Sequence, residues 1–201
     1  LGTSCNLRAS ASVTVFKDPT LGEYFQKFKV MLDGKEWGEV KLRVPGQHNV
    51  LNALAACAVG MELKFTPAQI IAGLSHYRGV DRRLQHKGFC NESPVIDDYG
   101  HHPTEVAATL EAIQSLYPQS QIVVLFQPHR YSRTRDCWDQ FLKCFSRAHQ
   151  VGLLDIYPAG EKPIEGISSK ALSDAMKAQY ISSKEDGKRF LVTAGGKNKV
   201  L

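Results

Sequence analysis

The chain has 201 residues, of which 43% are hydrophobic and 22% are charged, and its formal net charge is +5. These values are typical of an ordinary globular protein. The longest apolar stretch, 53–61, is too short to span a bilayer, and no signal-peptide pattern precedes it. The five cysteines are scattered and never form a C-x-x-C pair. We therefore expect reduced thiols, a cytoplasmic setting and no membrane partner.

The first 80 residues predict a β-rich section followed by two helices. A strand is predicted at 13–16, and hydrophobic side chains alternate with polar ones over 28–32 and 40–44. Asp33-Gly34, between the latter two, predicts a hairpin. Asn49 is predicted to cap a helix, and Thr66-Pro67 to start the next one. The apolar residues assigned to the first helix are Leu51, Leu54, Ala55 and Ala58. Residues 77–80 end this pattern and mark a domain boundary.

From residue 81 onward, short apolar strands alternate with longer amphipathic helices. Strands are predicted to end near Asp97, Phe126, Ile156 and Thr193, with helices near 103–116, 135–148 and 169–178. Repeated βα units imply an α/β fold with a mainly parallel sheet flanked by helices. The loops after the strands then lie at one edge of the sheet, where open α/β sheets bind ligands.

Two acidic residues, Asp97 and Asp98, end one predicted strand. A carboxylate there can accept hydrogen bonds from a ribose diol, or it can lie near the start of the helix at Pro103. His101 and His102 follow. One imidazole can bond a substrate carboxylate or phosphate; a metal site shared with the aspartates is the weaker alternative, because adjacent histidines in a turn do not readily reach one ion.

A basic loop follows the next strand, at 129–135. Arg130 and Arg133 can bind a carboxylate at two points each, which indicates a clamp for a small anionic substrate. A solvated basic face is the alternative, although cations at a helix start are unfavourable unless an anion lies there. Tyr131 between the arginines is compatible with nucleic acid, but no long basic face extends the cluster. We therefore expect no nucleic-acid partner.

Several motifs, in this order, resemble the Mur ligase family. They are GQHNVLNALAA at 46–56, the pair Arg82-Arg83, DDYGHHPTE at 97–105, PHRYSRT at 128–134 and DIYPAGE at 155–161. The resemblance implies a Rossmann-like C-terminal ligase domain over 81–201, preceded over 1–80 by the end of an ATP-binding central domain. The turn Ala194-Gly195-Gly196, placed after the strand near Thr193, stands where the family has Gly-Ala-Gly, and the last helix of the family is not expected.

The resemblance also implies which residues bind the nucleotide. His48, Asn49 and Asn52 match the segment that lines the adenine pocket of the family. Arg83 matches the arginine that reaches the terminal phosphates of ATP, and Asp98 matches the ribose-binding aspartate. The loop G-T-x-G-K-[ST] that holds the phosphates is absent from the sequence. This chain alone is therefore expected to be inactive, with the ligands of Mg²⁺ in the part of the central domain that it does not contain.

For the other substrates, the resemblance implies a site where the muramoyl carboxylate of UDP-N-acetylmuramate meets L-alanine. The residues that match this site are Tyr99, His101, His129, Arg130 and Arg133. The candidate catalytic residues are Arg83, His101 and His129.

The implied reaction belongs to bacterial peptidoglycan synthesis. ATP converts the lactyl carboxylate into an acyl phosphate, which the amine of L-alanine attacks. Two alternatives stay open: a ligase of the same family that attaches a murein tripeptide during recycling, and a non-catalytic module that binds a nucleotide or another anion. Residues 1–80 would lack part of their domain, so we expect exposed apolar surface there and possible self-association.

Overall fold

The computed structural model of the chain describes residues 6–10, 13–17 and 24–201. It divides into two compact units, Leu1–Asp81 and Arg82–Leu201. Each unit has its own core of buried hydrophobic side chains. Within the described ranges, no helix is long and apolar enough to cross a membrane.

The first unit is an antiparallel sheet covered by two helices. Its elements are β1 (Leu7–Ala9), β2 (Thr14–Lys17), β3 (Tyr24–Leu32), β4 (Lys35–Leu42), α1 (Gln47–Glu62) and α2 (Pro67–His76). The long strand β3 pairs with β4 and with both β1 and β2. The predicted hairpin is confirmed: Asp33 and Gly34 connect β3 to β4 with φ angles of 49° and 81°, the left-handed values that a two-residue turn requires.

Helix α1 begins earlier and buries a different face than the sequence pattern predicts. Gly46 is the N-cap, with φ 108°, so the prediction of a cap at Asn49 is wrong. The Asn49 side chain instead donates to the carbonyl of Pro45 at 2.8 Å. The residues of α1 that are buried are Val50, Ala53, Cys57 and Gly60. Nearly every residue of this segment is apolar, so the sequence pattern does not show which face of the helix is buried. The predicted apolar face is therefore displaced by about one residue from the observed one.

The outer face of α1 exposes large apolar side chains. Leu51, Val59 and Leu63, which lies just past the end of the helix, are 59%, 60% and 64% exposed. No charged residue occurs between Gln47 and Met61, whereas the solvent face of a helix normally carries charges. The expectation of exposed apolar surface in this part of the chain is therefore met on α1.

The second unit is built on parallel strands. Its elements are β5 (Gln85–Cys90), β6 (Ser93–Asp97), α3 (Pro103–Leu116), β7 (Gln121–Phe126), α4 (Tyr131–Asp136), α5 (Trp138–Cys144), β8 (Gln150–Leu154), α6 (Ser169–Met176), β9 (Gln179–Ile181), α7 (Lys184–Ala194) and β10 (Lys199–Val200). The sheet runs β10-β7-β8-β9, with parallel pairing throughout. Backbone hydrogen bonds from Leu201 to Pro94 and from Ile96 to Leu201 attach the β5–β6 hairpin beside β10.

Helices pack on both faces of this sheet, which confirms the predicted α/β fold. Helices α3, α5 and α6 contribute Leu110, Phe141 and Leu172 to the larger core. On the other face, α7 packs Leu191 and Ala194 against Val123 and its neighbours. Strands β6 and β7 end at Asp97 and Phe126, where the sequence places them.

The strand predicted to end near Thr193 is wrong. Residues 190–193 form the last part of helix α7 and not a strand. Ser183 caps this helix by accepting from the backbone N–H of Asp186 at 3.1 Å, although the apolar run Phe190-Leu191-Val192 also suits a strand. The turn at 194–196 therefore follows a helix, and the final strand is β10. The helix predicted over 135–148 corresponds to α5, which is shorter, and the separate short helix α4 precedes it.

Candidate functional site

The loops that follow β6, β7 and β8 meet at one edge of the parallel sheet. Their aromatic rings form a continuous row: Tyr99 lies 5.4 Å from His101, His101 lies 5.6 Å from His129, and His129 stacks on Tyr157 at 5.4 Å, measured between ring centroids. Parallel strands present their carboxyl ends at a common edge, which explains why residues so distant in sequence are neighbours here.

Asp98 folds back onto its own loop. Its carboxylate accepts from the backbone N–H groups of Leu84 at 2.9 Å and Gly100 at 2.7 Å. Each carboxylate oxygen has a second lone pair, so Asp98 can still accept from a ligand hydroxyl. The neighbouring Asp97 lies 3.8 Å from the Arg82 side chain. The carboxylate that accepts from the backbone N–H groups at the start of α3 is that of Glu105.

Glu105 connects the histidine loop to an arginine. Its Oε2 accepts from the backbone N–H groups of His101 at 3.0 Å and His102 at 3.1 Å, and its Oε1 lies 3.8 Å from Arg83 Nη1. Burial raises the pKa of Glu105, but these hydrogen bonds and the charges of His101 and Arg83 outweigh it and lower the pKa. Arg83 also lies 5.9 Å from the Tyr99 ring. Glu105 thus stays ionised among these donors.

The two adjacent histidines point to different partners. His101 Nδ1 lies 3.1 Å from the carbonyl oxygen of Tyr99. His102 caps α3, its Nδ1 accepting from the backbone N–H of Thr104 at 3.3 Å, while its Nε2 lies 3.7 Å from Cys137 Sγ. Across the described ranges, no group of three His, Cys, Asp or Glu side chains is placed to hold a metal ion.

His129 is held against Arg133. The guanidinium Nη1 of Arg133 lies 3.1 Å from His129 Nδ1 and donates to the carbonyl oxygen of the same residue at 3.3 Å. Because arginine has only donors, His129 Nδ1 is the acceptor, and Nε2 carries the proton of the neutral ring. Burial, followed by the charges of Arg133, His101 and Arg130, lowers the pKa of His129. The residue therefore offers a neutral N–H donor at neutral pH.

We expect NMR titration of the His129 ring to give a midpoint below 6.5, its ordinary value. An unfolded chain then takes up this proton first as the pH falls through about 6.5, so folding stability decreases from there down to the folded midpoint. Arg133→Ala should move the midpoint upward because a neighbouring cation is removed. Arg135→Ala, which removes an exposed cation of the same loop, should leave it in place. A midpoint at or above 6.5 in the unmodified chain would contradict this account.

The start of α4 is neutralised by a carboxylate of the chain itself. Ser132 donates its backbone N–H to Glu161 Oε2 at 2.9 Å and its hydroxyl to Oε1 at 2.6 Å. Hydrogen bonds from the Ser132 side chain and backbone lower the pKa of Glu161, with a contribution from the charge of Arg130. Glu161 therefore supplies an anion at this helix start, where the sequence places several cations. Arg130, which is exposed, and the half-buried Arg133 remain the candidates for an external anion.

The candidate nucleotide residues of the first unit lie in the first two turns of α1. Asn52 Nδ2 donates to Asn49 Oδ1 at 3.3 Å, and Asn49 Nδ2 is bonded to the carbonyl oxygen of Pro45. His48 is half-buried beside them. The three residues therefore lie in one short segment, in which Asn49 and Asn52 are joined by a hydrogen bond.

Three residues of the site carry no role in the sequence interpretation: Glu105, Tyr157 and Glu161. Glu105 could have been found, because a Glu at the third helical position after a capping residue is a capping-box signal. Tyr157 follows a strand end, as the other site residues do. Glu161 gives no local signal, since its partner Ser132 is 29 residues away.

Comparison with known proteins follows the same division of the chain. Residues 82–200 match the model of the family described as Mur ligase, glutamate ligase domain. A UDP-N-acetylmuramate--L-alanine ligase of Bdellovibrio bacteriovorus is 52% identical over 143 residues, a match covering 71% of this chain and 32% of that protein. The chain therefore spans about a third of the length of this relative.

Solved structures give the same result. The crystal structure of UDP-N-acetylmuramate-alanine ligase MurC from Thermotoga maritima matches with a TM-score of 0.76 and 28% identity, over 96% of this chain and 41% of that one. A murein peptide ligase from Psychrobacter arcticus matches with a TM-score of 0.59 and 20% identity, over 87% of this chain and 37% of that one, which is a likeness of fold. The resemblance seen in the motifs is confirmed, and the chain belongs to the Mur ligase family.

Proposed function

We propose that this chain is part of an ATP-dependent ligase that joins L-alanine to UDP-N-acetylmuramate in bacterial peptidoglycan synthesis. The observation that carries the proposal is the meeting of Tyr99, His101, His129 and Arg133 at one edge of the sheet. It is supported by the 52% identity to a relative of that name. The proposed setting is the bacterial cytoplasm, which suits the free thiols of the four cysteines in the described ranges.

In the proposed reaction, the lactyl carboxylate is first activated as an acyl phosphate at the expense of ATP. The amine of L-alanine then attacks the carbonyl carbon, a C–N bond forms, the C–O bond to phosphate breaks, and the amine loses a proton. Negative charge builds on the carbonyl oxygen during the attack. Arg130 and Arg133 supply cations for the alanine carboxylate, and His129 Nε2–H and His101 supply nearby donors. Donors fixed before the reaction stabilise such charge most effectively.

The residues proposed for ATP fit the nucleotide in part. The Asp98 carboxylate is fixed by two backbone N–H groups and retains acceptor capacity for a ribose diol. Arg83 is more than a third exposed and lies at the distance of a loose ion pair from Glu105, so it can reorient toward phosphate. His48, Asn49 and Asn52 remain the proposed adenine segment. The ligands of Mg²⁺ are proposed to belong to the part of the central domain that carries the phosphate-binding loop.

Calorimetric titration of the chain with ATP tests the nucleotide part of this proposal. We expect weak binding, which Asp98→Asn reduces about tenfold because the charged acceptor is lost. The matched control is Asp97→Asn, since Asp97 is the adjacent carboxylate and only approaches Arg82. Equal affinities for the two variants would remove Asp98 from the site. If circular dichroism shows that the chain is folded and it still does not bind ATP, then these residues do not contact the nucleotide in this chain.

The two alternatives predict different results in an assay of ADP release. A recycling ligase would use a murein tripeptide, and a binding module would release no ADP. They can be compared in a full-length chimera, in which residues 82–201 replace the matching segment of the Bdellovibrio ligase. ADP release that depends on L-alanine and UDP-N-acetylmuramate supports the proposal, and release only with the tripeptide favours the recycling ligase. The chain by itself, lacking the phosphate-binding loop, is expected to release no ADP and to self-associate through the exposed face of α1.

A further inference from the structure

Arg130 adopts a backbone conformation that residues with a side chain rarely take. Its φ and ψ are 73° and 138°, outside the regions that such residues prefer. Conformations of this kind persist only where the surrounding structure holds them. The residue lies at the start of α4, and its conformation sets the direction in which the chain enters the turn that carries Arg133. What holds Arg130 therefore also determines where the two arginines lie.

The segment 157–161, after β8, holds this turn on both sides of Arg130. Before the helix, the backbone N–H of Arg130 donates to the carbonyl of Tyr157 at 2.8 Å, and Tyr157 N–H donates to the carbonyl of Pro128 at 2.8 Å. Inside the helix, the Glu161 carboxylate accepts both the backbone N–H and the hydroxyl of Ser132. Two of these anchors are backbone groups. The third anchor is a side chain, that of Glu161.

Glu161 is itself placed by a tight turn. Its backbone N–H donates to the carbonyl of Pro158 at 3.0 Å. The two residues between them, Ala159 and Gly160, have φ angles of 49° and 85°. The carboxylate therefore projects from a short turn that begins directly beside the anchored Tyr157. Both anchors therefore belong to one short turn.

The charges of the basic loop also require this carboxylate. Arg130, Arg133 and Arg135 lie within six residues, and like charges at this spacing repel one another. Arg135 is paired with Asp136 at 2.8 Å. Glu161 supplies a negative charge at the start of α4, where a helix favours an anion. It does so while bonded to Ser132 and not to the arginines, so their guanidinium groups keep donors for a ligand.

We propose that Glu161 is a positioning residue that holds the turn from Arg130 to Arg133 in its ligand-binding conformation. This inference rests on the proposed function of that turn as the clamp for a substrate carboxylate. Glu161 acts through Ser132 and the Arg130 backbone, and it does not touch the substrate.

The test compares Glu161→Gln with Glu165→Gln, which removes an exposed carboxylate four residues along the same loop. We expect Glu161→Gln to accelerate hydrogen exchange of the Ser132 amide about tenfold, because a hydrogen bond to a charged acceptor becomes one to a neutral acceptor. NMR titration should also show a lower His129 midpoint, since the charge of Glu161 raises the pKa of that ring. Glu165→Gln should change neither quantity.

Glu161→Asp separates charge from geometry. The shorter carboxylate should restore most of the His129 midpoint while leaving Ser132 exchange faster than in the unmodified chain. If Ser132 exchange and the His129 titration in Glu161→Gln equal those in Glu165→Gln, the proposal is overturned. Neither readout needs a ligand. The chimera assay is separate from these two readouts. If Glu161→Gln changes both Ser132 exchange and the His129 midpoint, but the chimera shows no L-alanine-dependent ADP release, the positioning role of Glu161 is supported and only the proposed function is contradicted.

Discussion

Replacement of Arg133 by lysine is expected to raise the KM for L-alanine about tenfold to a hundredfold in the full-length chimera described above. Arg133 Nη1 is engaged with His129 Nδ1 and the His129 carbonyl oxygen, which leaves the other edge of the guanidinium for a carboxylate. A lysine ammonium is a point charge, so it cannot hydrogen-bond His129 and a substrate carboxylate at the same time with the geometry of a planar guanidinium. The expected loss of one or two charge-assisted hydrogen bonds corresponds to about 1.5–3 kcal/mol.

The matched control for this substitution is Arg135→Lys. Arg135 lies in the same short helix, but it is exposed and paired with Asp136 at 2.8 Å. Its replacement should leave the KM for L-alanine unchanged. Steady-state measurement of ADP release at varied L-alanine concentration gives both values. If Arg133→Lys behaves like Arg135→Lys, then Arg133 does not bind the amino acid.

Replacement of Phe141 by alanine is expected to destabilise the second unit by about 3–5 kcal/mol. Phe141 is fully buried, and its ring lies 5.7 Å from that of Phe126 at the end of β7. The truncation leaves a cavity between α5 and the sheet. Domains of this size are stable by only about 5–15 kcal/mol. The substitution therefore removes a large fraction of the stability that supports the loops of the site.

Urea unfolding followed by the fluorescence of Trp138 measures this loss, because Trp138 packs against the same core. The substitution Trp37→Phe removes the signal of the first unit, whose core Trp37 contacts. Leu142→Ala is the control, since Leu142 is the next residue and is 39% exposed. It should cost about 1 kcal/mol or less. Similar costs for the two variants would show that Phe141 is not the central residue of the core.

The sequence predicts much of this fold because its signals are local. The hairpin at Asp33-Gly34, the cap at Thr66 and the ends of β6 and β7 each depend on a few neighbouring residues. Where local signals conflict, the interpretation fails: the run 190–193 is apolar enough for a strand, yet Ser183 and the acidic residues after it begin a helix. The outcome depends on packing against the sheet, which no short window contains.

The candidate site shows the same contrast. The histidines and arginines are visible because they directly follow apolar strands, and parallel strands place such residues at a common edge. Glu161 is not visible, because its effect depends on a contact with Ser132 across 29 residues. The stacking of His129 on Tyr157 also requires the register of β7 and β8. Without that register, the sequence identifies the histidines and arginines of the site but not Tyr157 and Glu161, which contact them or their loop.

The position of β10 has a consequence for the order in which the second unit can form. This strand pairs with β7, and Leu201 bonds to β6, although β7 precedes it by about 80 residues. Contacts between residues so distant along the chain form slowly, whereas the β3–β4 hairpin of the first unit closes over two residues. During synthesis, the strands β6 and β7 that present the site loops cannot be joined until residues 199–201 have emerged. The β3–β4 hairpin is therefore expected to form early, and the connection from β6 through β10 to β7 only after these residues are available.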